Sequence, residues 1–392
     1  MLGSKIWRRR RWLLASAALL SACASTDYGT RAAGDRPSDL TSTEASLWYQ
    51  MDNAEADLRR SGSVVDDPEL AGFVSGVLCN VSGDHCDDLN VYVVRNAEFN
   101  AFMAPNGMSA VYTGLLLRAE DESQLAAVLA HEFVHFEENH TLEMLGAARN
   151  ARVTGMVLGV AVGAVGGPMA LGDLAAAGGF LSFSREKETE ADIKGMRYMA
   201  GAGYNAGSAS LIWQNLQDEL EASGFDRRRR SAGNTGFFDT HPGVEDRIGE
   251  LNMRAAEFVP VDTDPVAYRA MIRPFLQDWL DDEIVRRDPE RTLHLIERLS
   301  ALQMDMGVLE YARGRILALR DDEGDQGLAR EAFLTSIEHD DAPALSWRGL
   351  AEIERANGQN QSAADAYEAY LSRAPDAADA ALVERLIEDL RG

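Results

Sequence analysis

The sequence predicts a mostly helical α+β protein with a small sheet, followed by a C-terminal helical repeat domain. An amphipathic pattern from Leu125 to Phe136 predicts a helix that carries His131-Glu132-x-x-His135. The alternating, β-rich segment from Leu89 to Arg95 predicts a strand. Near the C-terminus, two segments match at a spacing of 34 residues, which indicates a repeat.

The helix with the His131-Glu132-x-x-His135 motif is the strongest functional signal in the chain. Residues four apart lie on one helix face, so the two imidazoles can grip one ion together. Glu132 lies beside the first histidine, where a general base is needed. Two neutral nitrogens and one carboxylate on a helix are what a zinc peptidase requires. The alternative is a partly buried helix with two ordinary histidines.

Length and charge limit the possible classes of protein. The 392 residues suggest two or three domains. The formal net charge of −25 argues against nucleic acid as a partner. An acidic surface by itself identifies no substrate, because it commonly serves solubility.

The N-terminus has the composition of an export signal. Basic residues at Lys5 and Arg8–Arg11 precede a short apolar stretch, Trp12–Leu20, that is too short to span a bilayer. The stretch ends in Leu20-Ser21-Ala22-Cys23, which resembles the lipobox of bacterial lipoproteins. Residues 1–22 are therefore predicted to be a lipoprotein signal peptide, with a plain secretory signal as the alternative.

In a lipoprotein, Cys23 would carry the lipid and attach the protein to a membrane. Ala24 follows it, and the absence of Asp there favours the outer membrane over the inner one. Residues 23–43 are polar and read as a flexible tether. The predicted location is the envelope of a Gram-negative bacterium, on the periplasmic face of the outer membrane.

The other two cysteines, Cys79 and Cys86, flank a turn-rich segment. In an oxidising compartment they are predicted to form a local disulfide. A metal site that uses both cysteines with His85 is the weaker alternative.

Residues 44–260 are predicted to form the catalytic domain. The acidic run Glu120–Ser123 favours the N-terminus of the motif helix, and a small sheet is expected beside it. The elements predicted before that helix are helices at 44–61 and 69–78, strands at 89–95 and 108–113, an extended piece at 100–105 and a turn at Asn106-Gly107.

Another predicted helix begins near Phe183 and supplies acidic residues. Glu188 and Asp192 are spaced i, i+4 and project from one face. The first carboxylate could ligate a metal, and the second could hold a ligating histidine by its other nitrogen. The alternative is a solvated acidic helix surface.

Residues 100–195, with the segment around His241, resemble the peptidase M48 family of metallopeptidases, which are zincin-type enzymes. The resemblance implies that zinc is bound by His131, His135 and Glu188, with Glu132 as the base and Asp192 as a supporting residue. The pieces that carry it are Asn100-Ala-Phe, Asn106-Gly107, Thr113-Gly-Leu-Leu, Glu122 to His140, and Ser184-Arg-x-x-Glu-x-Glu-Ala-Asp192.

The resemblance also implies roles for residues outside the two helices. His241, in Thr240-His241-Pro242, would lie over the metal as a blocking fourth ligand or a transition-state donor, and Arg247 would stabilise an oxyanion. The alternative is a capping histidine and a structural arginine. Glu190 is the rival third ligand.

The extended residues Asn100, Ala101 and Phe102 are candidates for substrate binding. They could pair with the backbone of a substrate and add it to the sheet as a strand.

Residues 261–392 become helix-rich with acidic connections. The segments that match resemble the tetratricopeptide repeat, a helix pair that typically binds a protein partner or substrate. The matching residues are Gly324, Ala329 and Phe333 with Gly358, Ala363 and Tyr367.

Two further segments leave alternatives open. The apolar stretch 153–179 is interpreted as packed helices, with a mobile hairpin over the cleft as the minor alternative. The run Arg227–Arg230 is interpreted as a solvated charge cluster rather than a docking patch.

The function predicted from the sequence is that of a lipid-anchored zinc metalloendopeptidase that acts on unfolded or misassembled envelope and outer-membrane proteins. The rival is a chaperone or scaffold whose peptidase site is latent and whose repeats carry the main function.

Overall fold

The computed structural model describes residues 33–39, 42–144, 183–225, 241 and 244–392. Within those residues no helix is long and apolar enough to span a membrane.

Four predictions lie outside the described residues. They are the signal peptide at residues 1–22, the lipidation of Cys23, the interpretation of the apolar stretch 153–179 and that of the run Arg227–Arg230.

The first part of the chain surrounds one buried helix, α4, with a small sheet and further helices. Nearly all of α4 is buried, which is why its motif residues lie inside the protein. The elements are α1 (Thr43–Arg60), α2 (Pro68–Ser82), a 3-10 turn (Gly83–Asp88), β1 (Asn90–Val94), β2 (Ala101–Met103), β3 (Met108–Tyr112), α3 (Thr113–Arg118), α4 (Glu122–Glu137), α5 (Arg185–Gly201), α6 (Ser208–Glu221) and α7 (Val244–Ala255).

The start of α4 follows from its sequence. The side chain of Asp121 accepts a hydrogen bond from the backbone N–H of Gln124 at 2.8 Å. Glu122 lies in the first turn, where a negative charge complements the helix dipole. The acidic run before the motif therefore caps the helix, as predicted.

The sheet has three strands in the order β1-β3-β2. β3 pairs parallel with β1 and antiparallel with β2. Gly107, in the turn between β2 and β3, has φ 85°, and a Cβ there would lie 1.9 Å from the carbonyl oxygen of Asp88. Only glycine fits that position, which explains the Asn106-Gly107 turn.

The rest of the described chain is helical. These helices are α8 (Pro265–Ile272), α9 (Leu276–Val285), α10 (Pro289–Ser300), α11 (Met306–Arg320), α12 (Asp325–Ser336), α13 (Ala344–Ala356), α14 (Asn360–Arg373) and α15 (Ala380–Arg391), with a 3-10 turn at Arg273–Phe275.

The main hydrophobic core does not stop at the predicted boundary between residues 260 and 261. It continues through buried side chains of α8–α11 as far as Ile316. The hydroxyl of Tyr268 donates to the carbonyl of Leu116 at 2.7 Å, and both residues are buried. A second core cluster includes Tyr311 and the helices that follow. The predicted division into domains stays a prediction.

The two segments that match in sequence have similar local structure. Gly324 and Gly358 both have positive φ, 92° and 72°, and each lies just before a helix. The ring of Phe333 lies against Gly314 and Gly349, where a Cβ would approach it within 2.7 Å and 2.4 Å. Small residues thus let the helices approach closely. The assignment to tetratricopeptide repeats stays a prediction.

Candidate metal centre

α4 and α5 approach each other closely beside the histidine motif. A Cβ on Gly195 of α5 would lie 3.3 Å from the backbone nitrogen of His131. Ala191, also on α5, is fully buried. Small residues on this face bring the carboxylates of α5 to the imidazoles of α4.

Four buried side chains converge at this contact. They are His131, His135, Glu188 and His241, and their donor atoms all lie within 4.8 Å of one another. The Nε2 atom of His131 lies 3.1 Å from Nε2 of His135 and 3.1 Å from Nδ1 of His241.

The carboxylate of Glu188 completes the cluster. Its oxygens lie 3.5 Å from Nε2 of His131, 3.6 Å from Nε2 of His135 and 3.0 Å from Nδ1 of His241. Zinc bonds of about 2.0–2.1 Å in a tetrahedron require donors about 3.3 Å apart. The donor set and its spacing therefore fit a zinc ion, with His241 in the fourth position.

His131 is held from behind by Asp192. Its Nδ1 lies 3.0 Å from Oδ1 of Asp192, so Nε2 points into the cluster. Arg247 in turn contacts both oxygens of Asp192, at 2.7 Å and 2.8 Å. The pKa of the Asp192 carboxyl, which burial alone would raise, is held well below its usual range by Arg247 and His131. The support that the spacing of α5 predicts for a ligand is thus present in the geometry.

The guanidinium of Arg247 contacts the carboxylates of the site. Besides Asp192, it contacts Oε2 of Glu188 at 2.8 Å, and its guanidinium lies 5.5 Å from the centre of the Trp213 ring. Only 6% of Arg247 is exposed. These contacts favour a positioning role over the oxyanion role that the resemblance implies.

Glu132 is buried beside the cluster, and Oε1 accepts no hydrogen bond from the described residues. Burial, together with the charge of Glu188, raises the pKa of Glu132 well above its ordinary value. Oε1 lies 3.4 Å from Nε2 of His241. A carboxylate in this position can take a proton from a group that approaches the cluster.

The electrostatics of the imidazoles favour metal binding. Burial lowers the pKa of His131, His135 and His241. Neutral imidazole is the form that ligates metals. Burial also raises the pKa of Glu188 to about 7, against the opposing effect of His131 and Arg247.

Two residues at the site were missed by the sequence reasoning. His140 is buried, and its Nδ1 lies 2.9 Å from Nδ1 of His135. The ring of Phe183 stacks on that of His135, with centroids 3.9 Å apart. The one sequence signal for His140 was that it is a third histidine, five residues after His135. That spacing would not place the two on one helix face, where neighbours are three or four residues apart.

The other predicted site residues lie outside the cluster. Glu190 is an ion-pair partner of Lys194 at 2.8 Å, and the rival third ligand is not one of the four converging donors. Asn100 precedes β2, which contains Ala101 and Phe102 and is an edge strand of the sheet.

Cys79, in α2, and Cys86, in the 3-10 turn that follows, are joined by a disulfide. His85, between them, instead pairs with Asp88 at 3.2 Å.

A buried cluster of imidazoles and carboxylates, with a glutamate beside it on the same helix, is the arrangement of a metallopeptidase. Comparison with known proteins agrees. Residues 66–255 match peptidase family M48, and this segment of the chain belongs to that family. The predicted family is confirmed for this segment, and the match supports the predicted enzyme class, a metalloendopeptidase.

Several curated proteins are similar to this chain. The putative beta-barrel assembly-enhancing protease of Vibrio cholerae is 29% identical over 220 residues, which cover 53% of this chain and 44% of the relative. The Escherichia coli K12 beta-barrel assembly-enhancing protease is 27% identical over 215 residues, or 52% and 42%. The mitochondrial metalloendopeptidase OMA1 of Saccharomyces cerevisiae is 31% identical over 168 residues, or 41% and 46%. The matched part spans less than half the length of each of these relatives.

Proposed function

We propose that the protein is a zinc-dependent metalloendopeptidase, anchored by a lipid on Cys23 at the periplasmic face of the outer membrane. The observation that carries the activity is the buried set of His131, His135 and Glu188 with Glu132 beside it. The location rests on the lipobox at Cys23.

Zinc, when bound, supplies a Lewis acid that acidifies water and polarises the scissile carbonyl. His131, His135 and Glu188 would hold the metal, while Asp192 fixes the orientation of His131. Oε1 of Glu132 takes a proton from the attacking water, and the same atom then passes that proton to the leaving amine. Arg247 contacts both carboxylates, holds the pKa of Asp192 low and opposes the rise that burial causes in the pKa of Glu188.

The proposed substrates are unfolded or misassembled envelope and outer-membrane proteins. Two of the relatives carry the name beta-barrel assembly-enhancing protease, which supports this class of substrate. The edge strand β2 supports it too, because an edge strand can pair with any extended backbone. The C-terminal helices are proposed to bind a protein partner or the substrate itself.

One observation favours a second function, a chaperone or scaffold with a latent peptidase. Nδ1 of His241 lies 3.1 Å from Nε2 of His131 and 3.0 Å from Oε1 of Glu188, as a fourth ligand would. In that arrangement the imidazole fills the coordination position that water needs. The C-terminal helices would then carry the main function, and the peptidase would act only when His241 leaves.

The deciding experiment measures zinc content and cleavage of an unfolded protein by the wild type, Glu132→Gln and His241→Ala. Zinc in all three, with cleavage that Glu132→Gln abolishes, supports the endopeptidase. Activation by His241→Ala supports the latent form. A wild type that holds no zinc, with no cleavage by any variant, overturns the proposal.

A further inference from the structure

His135 presents a second ring nitrogen away from the cluster, and that nitrogen has a partner without an assigned role. Nδ1 of His135 lies 2.9 Å from Nδ1 of His140. This arrangement parallels that of His131, whose second nitrogen lies 3.0 Å from Asp192. Each imidazole of the motif is therefore held from behind, one by a carboxylate and the other by a neighbouring histidine.

The hydrogen-bonding roles follow from the position of the cluster. A histidine that ligates through Nε2 keeps its proton on Nδ1, so His135 must donate there. Nδ1 of His140 must then accept, which leaves the proton of His140 on its Nε2. That nitrogen lies 3.4 Å from Oε2 of Glu190, an acceptor. One orientation of protons thus lets His135 donate to His140, while Nε2 of His140 makes no hydrogen bond with the described residues and lies at ion-pair distance from Glu190.

The backbone is shaped to make this contact. α4 ends at Glu137, and Asn139 adopts a left-handed conformation with φ 55°. This turn brings His140 back toward the helix it has just left, where only 1% of its surface is exposed.

Glu190 is itself held by lysines of its own helix, α5. Lys194 lies 2.8 Å from one of its oxygens and Lys187 lies 3.8 Å from the other. The second helix of the site thus fixes the outer end of the series that reaches His135.

We propose that His140 is a positioning residue that fixes the tautomer and orientation of His135 as a zinc ligand, with Glu190 behind it. This inference rests on the zinc site of the proposed function. It also gives Glu190 a role in the site that is distinct from the ligand role for which it was the rival candidate.

The test measures zinc dissociation constants of the full chain by competition with a chromophoric chelator. Removing such a partner typically weakens metal binding about 10–100-fold, which is the loss expected for His140→Leu. His140→Asn places an oxygen near the position of Nδ1 and should recover most of the affinity. His85→Leu is the matched control, because His85, like His140, lies beside a carboxylate, that of Asp88, but is outside the cluster. It should bind zinc as the wild type does.

Unfolding of the metal-free variants separates positioning from packing. A His140→Leu affinity within twofold of the wild type overturns the inference. The inference is also overturned if His140→Leu and His140→Asn lose the same zinc affinity and the same unfolding free energy in the metal-free state, because packing alone would then explain the effect. If His140→Leu does not fold, Glu190→Ala decides, because that side chain is 34% exposed. It should weaken zinc binding about threefold or more, and unchanged affinity overturns the inference.

The same measurements distinguish the two proposals. A wild type that binds no zinc overturns both the proposed function and the role of His140. A wild type that binds zinc and cleaves through Glu132, with His140→Leu and Glu190→Ala unaffected, overturns only the role of His140.

Discussion

Oε1 of Glu132 lies 3.4 Å from Nε2 of His241, while Nδ1 of the same imidazole lies 3.0 Å from Glu188. One side chain therefore contacts both the general base and a ligand. The position of His241 thus controls the approach to both groups, and the first two predictions depend on it.

Glu132→Gln should abolish hydrolysis and leave zinc bound. The amide keeps the size of the side chain but cannot take a proton, and a general base contributes roughly 10²–10⁴-fold to rate. Zinc content by elemental analysis and cleavage of an unfolded protein check this together. Cleavage at the wild-type rate would show that another group is the base.

His241→Ala should increase cleavage, because it removes the imidazole from the fourth position. If the open site is populated at about 1–10%, the rate should rise about 10–100-fold. The assay compares initial rates at equal zinc occupancy. His339→Ala, at an exposed histidine in the turn between α12 and α13, is the control and should not change the rate. A lower rate in His241→Ala would instead support a transition-state donor.

Arg247→Ala should destabilise the protein strongly. It leaves Asp192 and Glu188 buried without their cationic partner, and breaking a buried pair in this way costs about 3–5 kcal/mol. The free energy of unfolding in denaturant measures the loss. Arg185→Ala removes an exposed partner of Asp246 and should have no measurable effect. Equal stability of the two variants would contradict the prediction.

Glu219 makes stability depend on acid. Burial alone would raise its pKa, but Arg118 and Arg291 outweigh burial and lower it from 4.5 to about 2. Its stabilising contribution is therefore complete above pH 4.5 and is lost as the pH falls toward 2. Between pH 5 and pH 3, the wild type should lose more unfolding free energy than Glu219→Gln. Equal losses would show that the pKa of Glu219 in the folded protein is not lowered below its unfolded value.

The disulfide between Cys79 and Cys86 closes a short loop. Replacing both cysteines with serine should cost about 2–3 kcal/mol, mainly by freeing the unfolded chain. Thermal unfolding with and without reductant measures this. The double variant should be insensitive to reductant, and a wild type that is equally insensitive would contradict the prediction.

Local spacing made part of the site predictable. His131 and His135, like Glu188 and Asp192, lie four residues apart on single helices, so each pair shares a face that can be read from the sequence. His140 could not be found this way, because it reaches His135 through a left-handed turn at Asn139 after the helix has ended.

The fold shows the same limit. The Asn106-Gly107 turn indicated the antiparallel pairing of β2 with β3, whereas the parallel pairing of β1 with β3 depends on contacts between distant segments. The continuation of the core into α8–α11 is likewise tertiary packing that no local pattern reveals.

The core that continues from the catalytic segment to Ile316 limits how this chain could be recombined. Truncating the chain after residue 260 would remove Tyr268 and its neighbours from their contacts with Leu116 and the core, and would expose a wide apolar surface to water. Exchange with another protein would have a better junction in the exposed turn between α11 and α12, near Asp322. Helices α8–α11 would thus be inherited with the peptidase, and the helices beyond them could be exchanged only for helices that again cover Tyr311 and Leu317 of α11, which belong to the second core.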